Sequence, residues 1–475
     1  MTYLWQHYAT QPDYQHKVAL RNEQGELFSW QQLSEKINAV AYAFSQQGVK
    51  AGDGIALCGK NSFALLLAYL AGIQLGARVL GINPAFPEEK ITQLCENAAV
   101  PFYYDPIYYD PKGEKTLQNC TALLISSDLP HSSALKGQAM ADYDPNRPAT
   151  MTLTSGSTGN PKAVVHTVQG HLDNAQGVCE LMAFGAENAW LLSLPLYHVS
   201  GQGIVWRWLY AGARLHLPNE DFYTEAASVS HLSLVPTQLQ RFIAYLQQRP
   251  EQTIHTQHIL LGGSHIPLAL TQQAEQYCLT CYSGYGMTEM ASTVCAKKSD
   301  QYNGVGLPLK GRELELIDGE ICLRGAGLGL GYWQQGGILP LVQQDGWLHT
   351  KDLGEWQNGE LRILGRLDNM FISGGENIQP EEIERIILHY PEIKQVFILP
   401  VEDSEFGHRP VAMVEFVNGF SQSEVENLRI WIATRLEKFK QPIHYFPLDV
   451  AQCQQQGTIK ISRNVLKTVL QQLMG

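Results

Sequence analysis

The chain has 475 residues, of which 44% are hydrophobic and 17% are charged. This length exceeds what one hydrophobic core usually supports, so the composition predicts a globular protein with two or more domains. The formal net charge of −12 argues against a general nucleic-acid binder or a protein inserted in anionic membrane. An anionic ligand must therefore be held by local cations.

The N-terminal residues show no basic segment followed by an apolar run, which predicts a cytoplasmic protein without a signal peptide. Nine scattered cysteines are typical of reduced, buried thiols. Cys278 and Cys281 form a Cys-x-x-Cys pair but lack the second pair that a zinc site needs. The apolar stretch 63–73 is too short to span a bilayer and is predicted to be a buried helix.

In chain order, apolar spacing predicts alternating elements in the first hundred residues. Helices are expected at 28–48, 62–75 and 87–97, and strands at 55–58 and 78–82. Alternation of this kind indicates α/β layers. Residues 104–145 are weakly periodic and are expected to form irregular connections with short strands.

Residues 152–162, Thr-Leu-Thr-Ser-Gly-Ser-Thr-Gly-Asn-Pro-Lys, combine five hydroxyls, two glycines and a lysine. Glycines let backbone N–H groups approach an anion closely and short hydroxyls donate to it, so the segment is typical of a polyphosphate-binding loop. It departs from the NTPase P-loop, because Asn160 and Pro161 follow Gly159 where a lysine is required. Apolar runs on both sides place it at a hairpin tip. The alternative is a surface turn.

Further along, a helix is expected at 169–182 and strands at 190–194, 213–217, 231–235 and 258–261, each followed by turn residues. Ligands of open α/β sheets collect at such strand ends. Residues 282–289 form a further Gly-rich turn, in which Tyr285 could stack on a base and Glu289 could hold Mg²⁺.

Beyond residue 310, the sequence pattern predicts a series of short strands. Segment 365–377 mixes polar and flexible residues and is a candidate hinge. A helix from Pro380, strands at 394–400 and 411–417, and a helix at 423–438 predict a small α+β unit. The predicted domains are therefore 1–365 and 366–475.

Five ordered motifs carry a resemblance: 154–162, 195–203, 285–289, 351–355, and 365–368 with 374–377. Together they resemble the adenylate-forming superfamily of acyl-CoA synthetases, luciferases and peptide-synthetase adenylation domains. The resemblance implies a large α/β N-terminal domain of layered sheets and helices and a small mobile α+β C-terminal domain. It also implies attack of a carboxylate on the α-phosphate of ATP, followed by displacement of AMP by a thiol, with ATP, Mg²⁺ and CoA as cofactor and co-substrates.

The resemblance implies roles for the motif residues. Loop 154–162 would bind the β- and γ-phosphates, Thr158 and Glu289 would contact Mg²⁺, and Asp352 would accept hydrogen bonds from both ribose hydroxyls. The implied ATP set is Thr154, Ser155, Gly156, Ser157, Thr158, Gly159, Lys162, Gly262, Gly263, Tyr285, Gly286, Thr288, Asp352 and Arg366. Asp368 would be the hinge, and Gly374 and Gly375 would line the CoA tunnel.

The superfamily also carries a lysine near its C-terminus that reaches the α-phosphate during adenylation only. Lys460 is the match, in Gly-Thr-Ile-Lys-Ile-Ser-Arg, although Ile459 replaces the usual glycine before it. With Thr158, Glu289 and His198, it completes the implied catalytic set.

Within the superfamily, residues 191–214 and His166 are similar to the o-succinylbenzoate–CoA ligases of menaquinone biosynthesis. The implied acid has an aromatic ring and two carboxylates, so its pocket needs a cation for the carboxylate that does not react. Arg207 is the candidate clamp, because guanidinium pairs bidentately with carboxylate. The implied acyl pocket also includes His198, Ser200, Gly201 and Gln202.

Alternatives remain open at this point. Arg207 could be a packing arginine between two tryptophans, and His198 a hydrogen-bonded core histidine. The chain could ligate CoA to another aromatic or aliphatic acid, load a carrier-protein thiol, or bind ATP only as a sensor. The sequence leaves a homo-oligomeric state open.

Overall fold

The computed structural model of the chain describes residues 2–106, 117, 119–125, 142–154, 161–263, 266–302, 304–334, 336–453 and 461–474. The chain divides into two compact units. The first comprises Met1–Glu313 and Leu323–Leu348, and the second comprises Leu314–Cys322 and His349–Gly475. The hinge that the sequence predicts near residue 366 lies inside the second unit and stays a prediction.

The first unit has nine α-helices in the described residues, four of them near the predicted ranges 28–48, 62–75, 87–97 and 169–182. They are α1 (Leu4–Thr10), α2 (Trp30–Gln46), α3 (Phe63–Gln74), α4 (Glu88–Asn97), α5 (Val168–Met182), α6 (Val199–Ala211), α7 (Phe222–Ser228), α8 (Pro236–Gln248) and α9 (Leu268–Glu275). Three of these helices have hydroxyl N-cap residues: Ser29 for α2, Ser62 for α3 and Thr167 for α5. Each side chain accepts a hydrogen bond from a backbone N–H of the first turn. α3 is the predicted buried helix, and no helix in the described ranges is long and apolar enough to cross a membrane.

The strands of the first unit form two sheets of eight strands each within the described residues. They are β1 (Val18–Arg21), β2 (Leu27–Ser29), β3 (Gly54–Cys58), β4 (Arg78–Ile82), β5 (Phe102–Tyr104), β6 (Thr121–Ala122), β7 (Pro148–Thr154), β8 (Lys162–Thr167), β9 (Ala189–Leu191), β10 (Arg214–His216), β11 (His231–Leu234), β12 (His258–Leu261), β13 (Thr280–Met287), β14 (Ser292–Lys298), β17 (Gly331–Gln334) and β18 (Gly337–Leu339). Their orders are β14-β13-β12-β11-β9-β10-β1-β2 and β18-β17-β8-β7-β4-β3-β5-β6. The predicted α/β class is confirmed.

Helices α5 and α6 join the two sheets. α5 packs on α6 and contacts β7 and β8 of one sheet and β14 of the other, while α6 contacts β9, β10 and β14. Trp206 and Trp208 of α6 and His171 of α5 are buried, with Trp208 stacked on Trp30 and Trp206 stacked on His171. The carboxyl end of β7 and the start of α6 are therefore held by the same packed layer.

The second unit holds most of a sheet with the order β15-β16-β19-β20, and a second sheet of five strands with the order β22-β21-β24-β23 and β25 beside β24. Its elements are β15 (Arg312–Ile317), β16 (Glu320–Gly325), β19 (Leu348–Gln357), β20 (Glu360–Arg366), β21 (Phe371–Ser373), β22 (Glu376–Ile378), α10 (Pro380–Ile387), β23 (Ile393–Asp403), β24 (Gly407–Phe416), α11 (Gln422–Ile432), β25 (Tyr445–Pro447), α12 (Val450–Cys453) and α13 (Arg463–Met474). Alternate residues of β23 and β24 face two apolar cores, one with α10 and α11 and one with α12 and α13. The predicted α+β unit is confirmed.

One prediction about local structure is wrong. Most of the predicted Gly-rich turn at 282–289 is strand β13, because its glycines permit close packing: a Cβ on Gly286 would lie 2.1 Å from the Ser292 carbonyl oxygen. In the motif 195–203, helix α6 begins at Val199. Glycine at 201 permits this, since a Cβ there would lie 2.1 Å from the Pro195 carbonyl oxygen.

Gly81 on β4 lets the loop before α6 approach the sheet. A Cβ at this position would lie 2.6 Å from the Tyr197 Cα, a backbone atom that cannot move alone. We expect Gly81→Ala to lower the free energy of unfolding by about 1–3 kcal/mol through overpacking. Gly185→Ala is the matched control, because a Cβ there meets nothing within 4 Å. Equal thermal midpoints for the two variants would contradict the expectation.

Candidate active site

The predicted phosphate loop is the tip of a β-hairpin. Strands β7 and β8 pair antiparallel, and Thr154 lies opposite Lys162 at the end next to the predicted loop. The hairpin prediction is therefore confirmed for its two strands. The loop residues Ser155, Gly156, Ser157, Thr158 and Gly159 lie outside the described residues.

Glu289 lies close to this hairpin, in a 3₁₀ helix (Thr288–Met290) that follows β13. Its Oε1 accepts a hydrogen bond from the Tyr332 hydroxyl at 2.7 Å, and its side chain is largely buried. The Lys162 Nζ lies 5.0 Å from the centre of the same tyrosine ring. One tyrosine thus contacts both the lysine and the carboxylate that the sequence placed at the phosphates and Mg²⁺.

The first turn of α6 carries four residues predicted to form the acyl pocket: His198, Ser200, Gly201 and Gln202. His198 is the N-cap residue, and its carbonyl oxygen accepts the N–H groups of Gly201 and Gln202, both at 3.1 Å. The buried Gln202 donates from Nε2 to the Thr152 hydroxyl at 3.0 Å, whereas its Oε1 has no partner among the described residues. This turn is therefore hydrogen-bonded to the strand that leads into the phosphate loop.

Arg207 is buried in the next turn of α6, with 1% of its surface exposed. Its Nη2 donates to Ser292 Oγ and Thr293 Oγ1, both at 3.2 Å, and its Nε has no partner among the described residues. Burial lowers its pKa to about 10, so it remains protonated at neutral pH. Its partners in the described part of the chain are neutral groups, and none is a carboxylate.

A second buried arginine shows that this arrangement is unusual. Arg312 lies nearby and donates to the carbonyl oxygens of Thr293, Lys310 and Asn174 at 3.0, 2.9 and 2.6 Å. Backbone acceptors therefore satisfy three nitrogens of Arg312, as expected for a structural arginine. Arg207 differs, because weak neutral hydroxyls hold it and donor capacity is left over.

The adenine candidates lie at the ends of adjacent parallel strands. β12 pairs with β13 up to Leu261 opposite Ser283, so Gly262 and Tyr285 follow on neighbouring strands. A Cβ on Gly262 would lie 3.6 Å from the Gly284 carbonyl oxygen, and Gly263 has φ +90°, which favours glycine. The remaining candidates of this set, Gly286 and Thr288, continue along the same segment.

In the second unit, one arginine holds both predicted carboxylates. Arg366 donates from Nη1 to Asp352 Oδ1 at 2.8 Å, and from Nε and Nη2 to the two oxygens of Asp368 at 3.0 and 3.2 Å. Burial alone would raise the pKa of Asp368, but the hydrogen bond and charge of Arg366 lower it. Lys460 lies outside the described residues.

Gly374 and Gly375 form the turn between β21 and β22. Their φ angles are +58° and +89°, the left-handed region that glycine adopts without strain. The Gly374 N–H donates to the Phe406 carbonyl at 2.9 Å, and a Cβ on Gly374 would lie 2.8 Å from the Phe406 ring. The turn therefore requires glycine for its own geometry.

Comparison with known proteins decides the family. The model of the AMP-binding enzyme family matches residues 5–333. The chain belongs to the AMP-binding enzyme family. It is 55% identical over 464 residues, 98% of this chain and 97% of the relative, to the 2-succinylbenzoate–CoA ligase of Haemophilus influenzae.

Solved structures of the family agree with the fold. An arginine-to-lysine variant of E. coli MenE with bound OSB-AMS is 42% identical, with a TM-score of 0.87 over 99% of both chains. The Bacillus subtilis o-succinylbenzoate coenzyme A synthetase in complex with ATP and magnesium ion has a TM-score of 0.82 over 98% of this chain and 99% of that one. At 24% identity the latter shows the fold alone.

Three residues around the site were not predicted from the sequence. Ser292 and Thr293 hold Arg207, and Tyr332 joins Lys162 to Glu289. Their hydroxyls are ordinary in composition and lie far from their partners along the chain. For Ser292 and Thr293, the only signal in the sequence was that they follow closely after the motif 285–289.

The buried His166 makes the stability of this region depend on pH. Burial lowers its pKa from 6.5 to about 4, opposed by the backbone at Glu289 and Thr288. The unfolded chain therefore binds a proton before the folded chain does, and stability is lost as pH falls from the unfolded pKa toward the folded one. Relative to His166→Gln, the wild type should lose about 2 kcal/mol of unfolding free energy between about pH 7 and about pH 5. Urea titrations of both proteins measure this, and parallel pH profiles would contradict it.

Proposed function

We propose that the chain joins 2-succinylbenzoate to CoA in two steps, using ATP and releasing pyrophosphate and then AMP. Membership of the AMP-binding family and the 55% identical ligase support the reaction type. The observation that carries the substrate assignment is Arg207, a buried cation held by neutral groups in the described structure. An aromatic diacid supplies the missing anion.

The diacid explains why this cation is buried. One carboxylate of the substrate reacts, and the other must leave water to enter the pocket. A desolvated carboxylate is costly unless it is paired and hydrogen-bonded, and guanidinium offers both in a bidentate geometry. The Arg207 guanidinium lies 5.3 Å from the Trp190 ring, so an aromatic wall stands beside the proposed clamp. His198, Ser200, Gly201 and Gln202 complete the proposed acyl pocket.

In the first step, a substrate carboxylate oxygen attacks the α-phosphorus of ATP. The new oxygen–phosphorus bond replaces the bond to the β-phosphate oxygen, and pyrophosphate leaves with its electron pair. No enzyme nucleophile is needed, so catalysis rests on positioning and on neutralising phosphate charge. Residues 154–162 would bind the β- and γ-phosphates. Lys162, which lies in the described part of this segment, would supply a positive charge.

Mg²⁺ fits the residues present near this loop. It prefers one or two carboxylates together with phosphate oxygens, and Glu289 is a largely buried carboxylate oriented by Tyr332. Glu289 would hold the ion with Thr158, and the ion would offset the charge of the departing pyrophosphate. Tyr332 would fix the Glu289 carboxylate, and Lys162 would add its own charge.

Nucleotide binding is proposed for two further groups of residues. The adenine and the phosphates of ATP would be framed by Gly262, Gly263, Tyr285, Gly286 and Thr288. In the second unit, Asp352 would accept the ribose hydroxyls, and Arg366 would support the ribose and phosphate. Since Asp352 is an acceptor-only group, it selects two donors, as a ribose offers.

In the second step, the CoA thiolate attacks the acyl carbonyl, the acyl–phosphate bond breaks, and AMP leaves. Gly374 and Gly375 would line the path of the CoA arm, where side chains would obstruct it. Asp368 would be the hinge between the two steps. Lys460 would contact the α-phosphate in the first step only.

The substrate assignment is tested by pyrophosphate release with 2-succinylbenzoate, benzoate, coumarate and a medium-chain fatty acid, each with and without CoA. The wild type should prefer 2-succinylbenzoate and form AMP only with CoA. Arg207→Gln should lower kcat/KM for 2-succinylbenzoate about 100-fold, because a charged hydrogen-bonded pair contributes about 3 kcal/mol. Its activity with benzoate, which lacks the second carboxylate, should hardly change.

Arg241→Met on the exposed face of α8 is the matched control and should retain the wild-type preference.

The thermal midpoint separates the clamp from a packing role. A clamp without a counter-ion should leave the ligand-free Arg207→Gln protein as stable as the wild type. Strong destabilisation with equal loss on both acids would identify Arg207 as a packing residue. Preference for another acid would move the assignment within the family, and pyrophosphate release without any acid specificity would reject it.

Lys460→Ala should block acyl-adenylate formation while leaving thiolysis of supplied acyl-AMP nearly unchanged. The lysine neutralises charge only while pyrophosphate departs. Each half-reaction is measured separately, by pyrophosphate release and by CoA-dependent AMP release. Lys467→Ala, an exposed lysine on α13, is the control. Equal loss of both half-reactions would contradict the proposed role.

A further inference from the structure

The second unit contains three side chains of metal-binding type that the proposed ligase reaction does not use. Glu320 and Cys322 lie on β16, and His349 lies on the neighbouring strand β19. A carboxylate oxygen, Sγ and Nδ1 of these residues all lie within 4.8 Å of one another. In the described ranges, no other three His, Cys, Asp or Glu side chains form such a group.

The sheet itself brings these side chains together. Successive residues of a strand point to opposite faces, so Glu320 and Cys322, two apart on β16, share one face. β19 lies beside β16 and brings His349 to that face. Cys322 is fully buried, while 19% of the His349 side chain and 16% of the Glu320 side chain are exposed. An ion can therefore reach the cluster from one side.

The two distances to the His349 Nδ1 are close to those of a tetrahedral ion. Cys322 Sγ lies 3.6 Å from His349 Nδ1, and the same Nδ1 lies 2.8 Å from Glu320 Oε2. Usual zinc bond lengths place sulfur and nitrogen ligands about 3.6 Å apart and nitrogen and oxygen ligands about 3.4 Å apart. The histidine–glutamate distance must open by about half an ångström, and the sulfur and a carboxylate oxygen of Glu320 lie within 4.8 Å of each other. The Lys351 N–H already orients the carboxylate by donating to Glu320 Oε1 at 2.7 Å.

The geometry points to a binding site for a divalent cation of the zinc class, with Cys322 Sγ, His349 Nδ1 and a Glu320 oxygen as ligands and solvent in the fourth position. With neutral imidazole, binding releases one proton per ion: the thiol proton goes to solvent, and the imidazole proton moves to Nε2. Mg²⁺ is a poor competitor, because thiolate and imidazole favour softer ions.

Binding at this site joins β16 to β19. His349 is followed on β19 by Thr350, whose Oγ1 accepts the Asp352 N–H at 3.0 Å. An ion that binds only the folded site stabilises it by mass action, so zinc should raise the thermal midpoint of the second unit. This inference rests on the cluster itself and is independent of the proposed ligase activity.

The test is zinc binding to the full-length protein, stripped with a chelator and kept reduced with a phosphine. Equilibrium dialysis against zinc, with excess Mg²⁺ present, should give one tightly bound ion per chain. Cys322→Ser and His349→Gln should each weaken that site by more than the about 10- to 100-fold typical of losing an outer-shell partner. Cys278→Ser, which removes an exposed cysteine elsewhere, is the matched control and should bind like the wild type.

A measurement on the wild type keeps the test independent of variant folding. Zinc X-ray absorption should show one sulfur and two or three nitrogen or oxygen neighbours. Wild-type protein without a stoichiometric ion would overturn the inference, as would a bound ion without a sulfur neighbour. Unchanged zinc affinity in both folded variants would overturn it equally.

Discussion

A positive charge buried without a carboxylate partner among the described residues is the constraint on which the candidate site depends. Removing a guanidinium from water is costly, and folded proteins usually offset the cost with a counter-ion or a full set of strong acceptors. Arg312 has such acceptors, whereas Arg207 has two hydroxyls at 3.2 Å. A carboxylate built into the fold would compete with an acidic ligand for the charge. The hydroxyls of Ser292 and Thr293 orient the guanidinium without neutralising it.

One short segment carries both the proposed metal ligand and the residues that hold Arg207. Glu289 precedes Ser292 and Thr293 by a few residues, so the proposed metal ligand and the supports of Arg207 share one turn. Close packing fixes this turn: a Cβ on Gly203 would lie 3.1 Å from both Arg207 Nη2 and Ser292 Oγ. The Gln202–Thr152 hydrogen bond connects the same helix to the phosphate hairpin. These contacts hold α6 against both the strand that leads into the phosphate loop and the segment that follows Glu289.

Elements with strong local signals could be predicted from the sequence, and those that depend on tertiary contacts could not. Apolar spacing predicted α2 and α3, and flanking apolar runs predicted the β7–β8 hairpin. The glycines at 284 and 286 were interpreted as a turn, yet they serve close strand packing, which looks identical in sequence. Tyr332, Ser292 and Thr293 act through partners that are remote in the chain. The motifs identified the chemistry, and packing selected the residues that position it.

The ion pairs of the second unit are consistent with a moving element. Arg366 contacts both Asp352 and Asp368, so the proposed ribose ligand and the proposed hinge share one cation. The Arg366 side chain is 43% exposed, and ion pairs at such positions contribute only about 0–1 kcal/mol. A rotation near Asp368 can therefore break that pair at small cost, while the pair with the more buried Asp352 persists. The buried arginine of the first unit and the exposed ion pair of the second thus suit the two roles proposed for them, a fixed acyl pocket and a hinge.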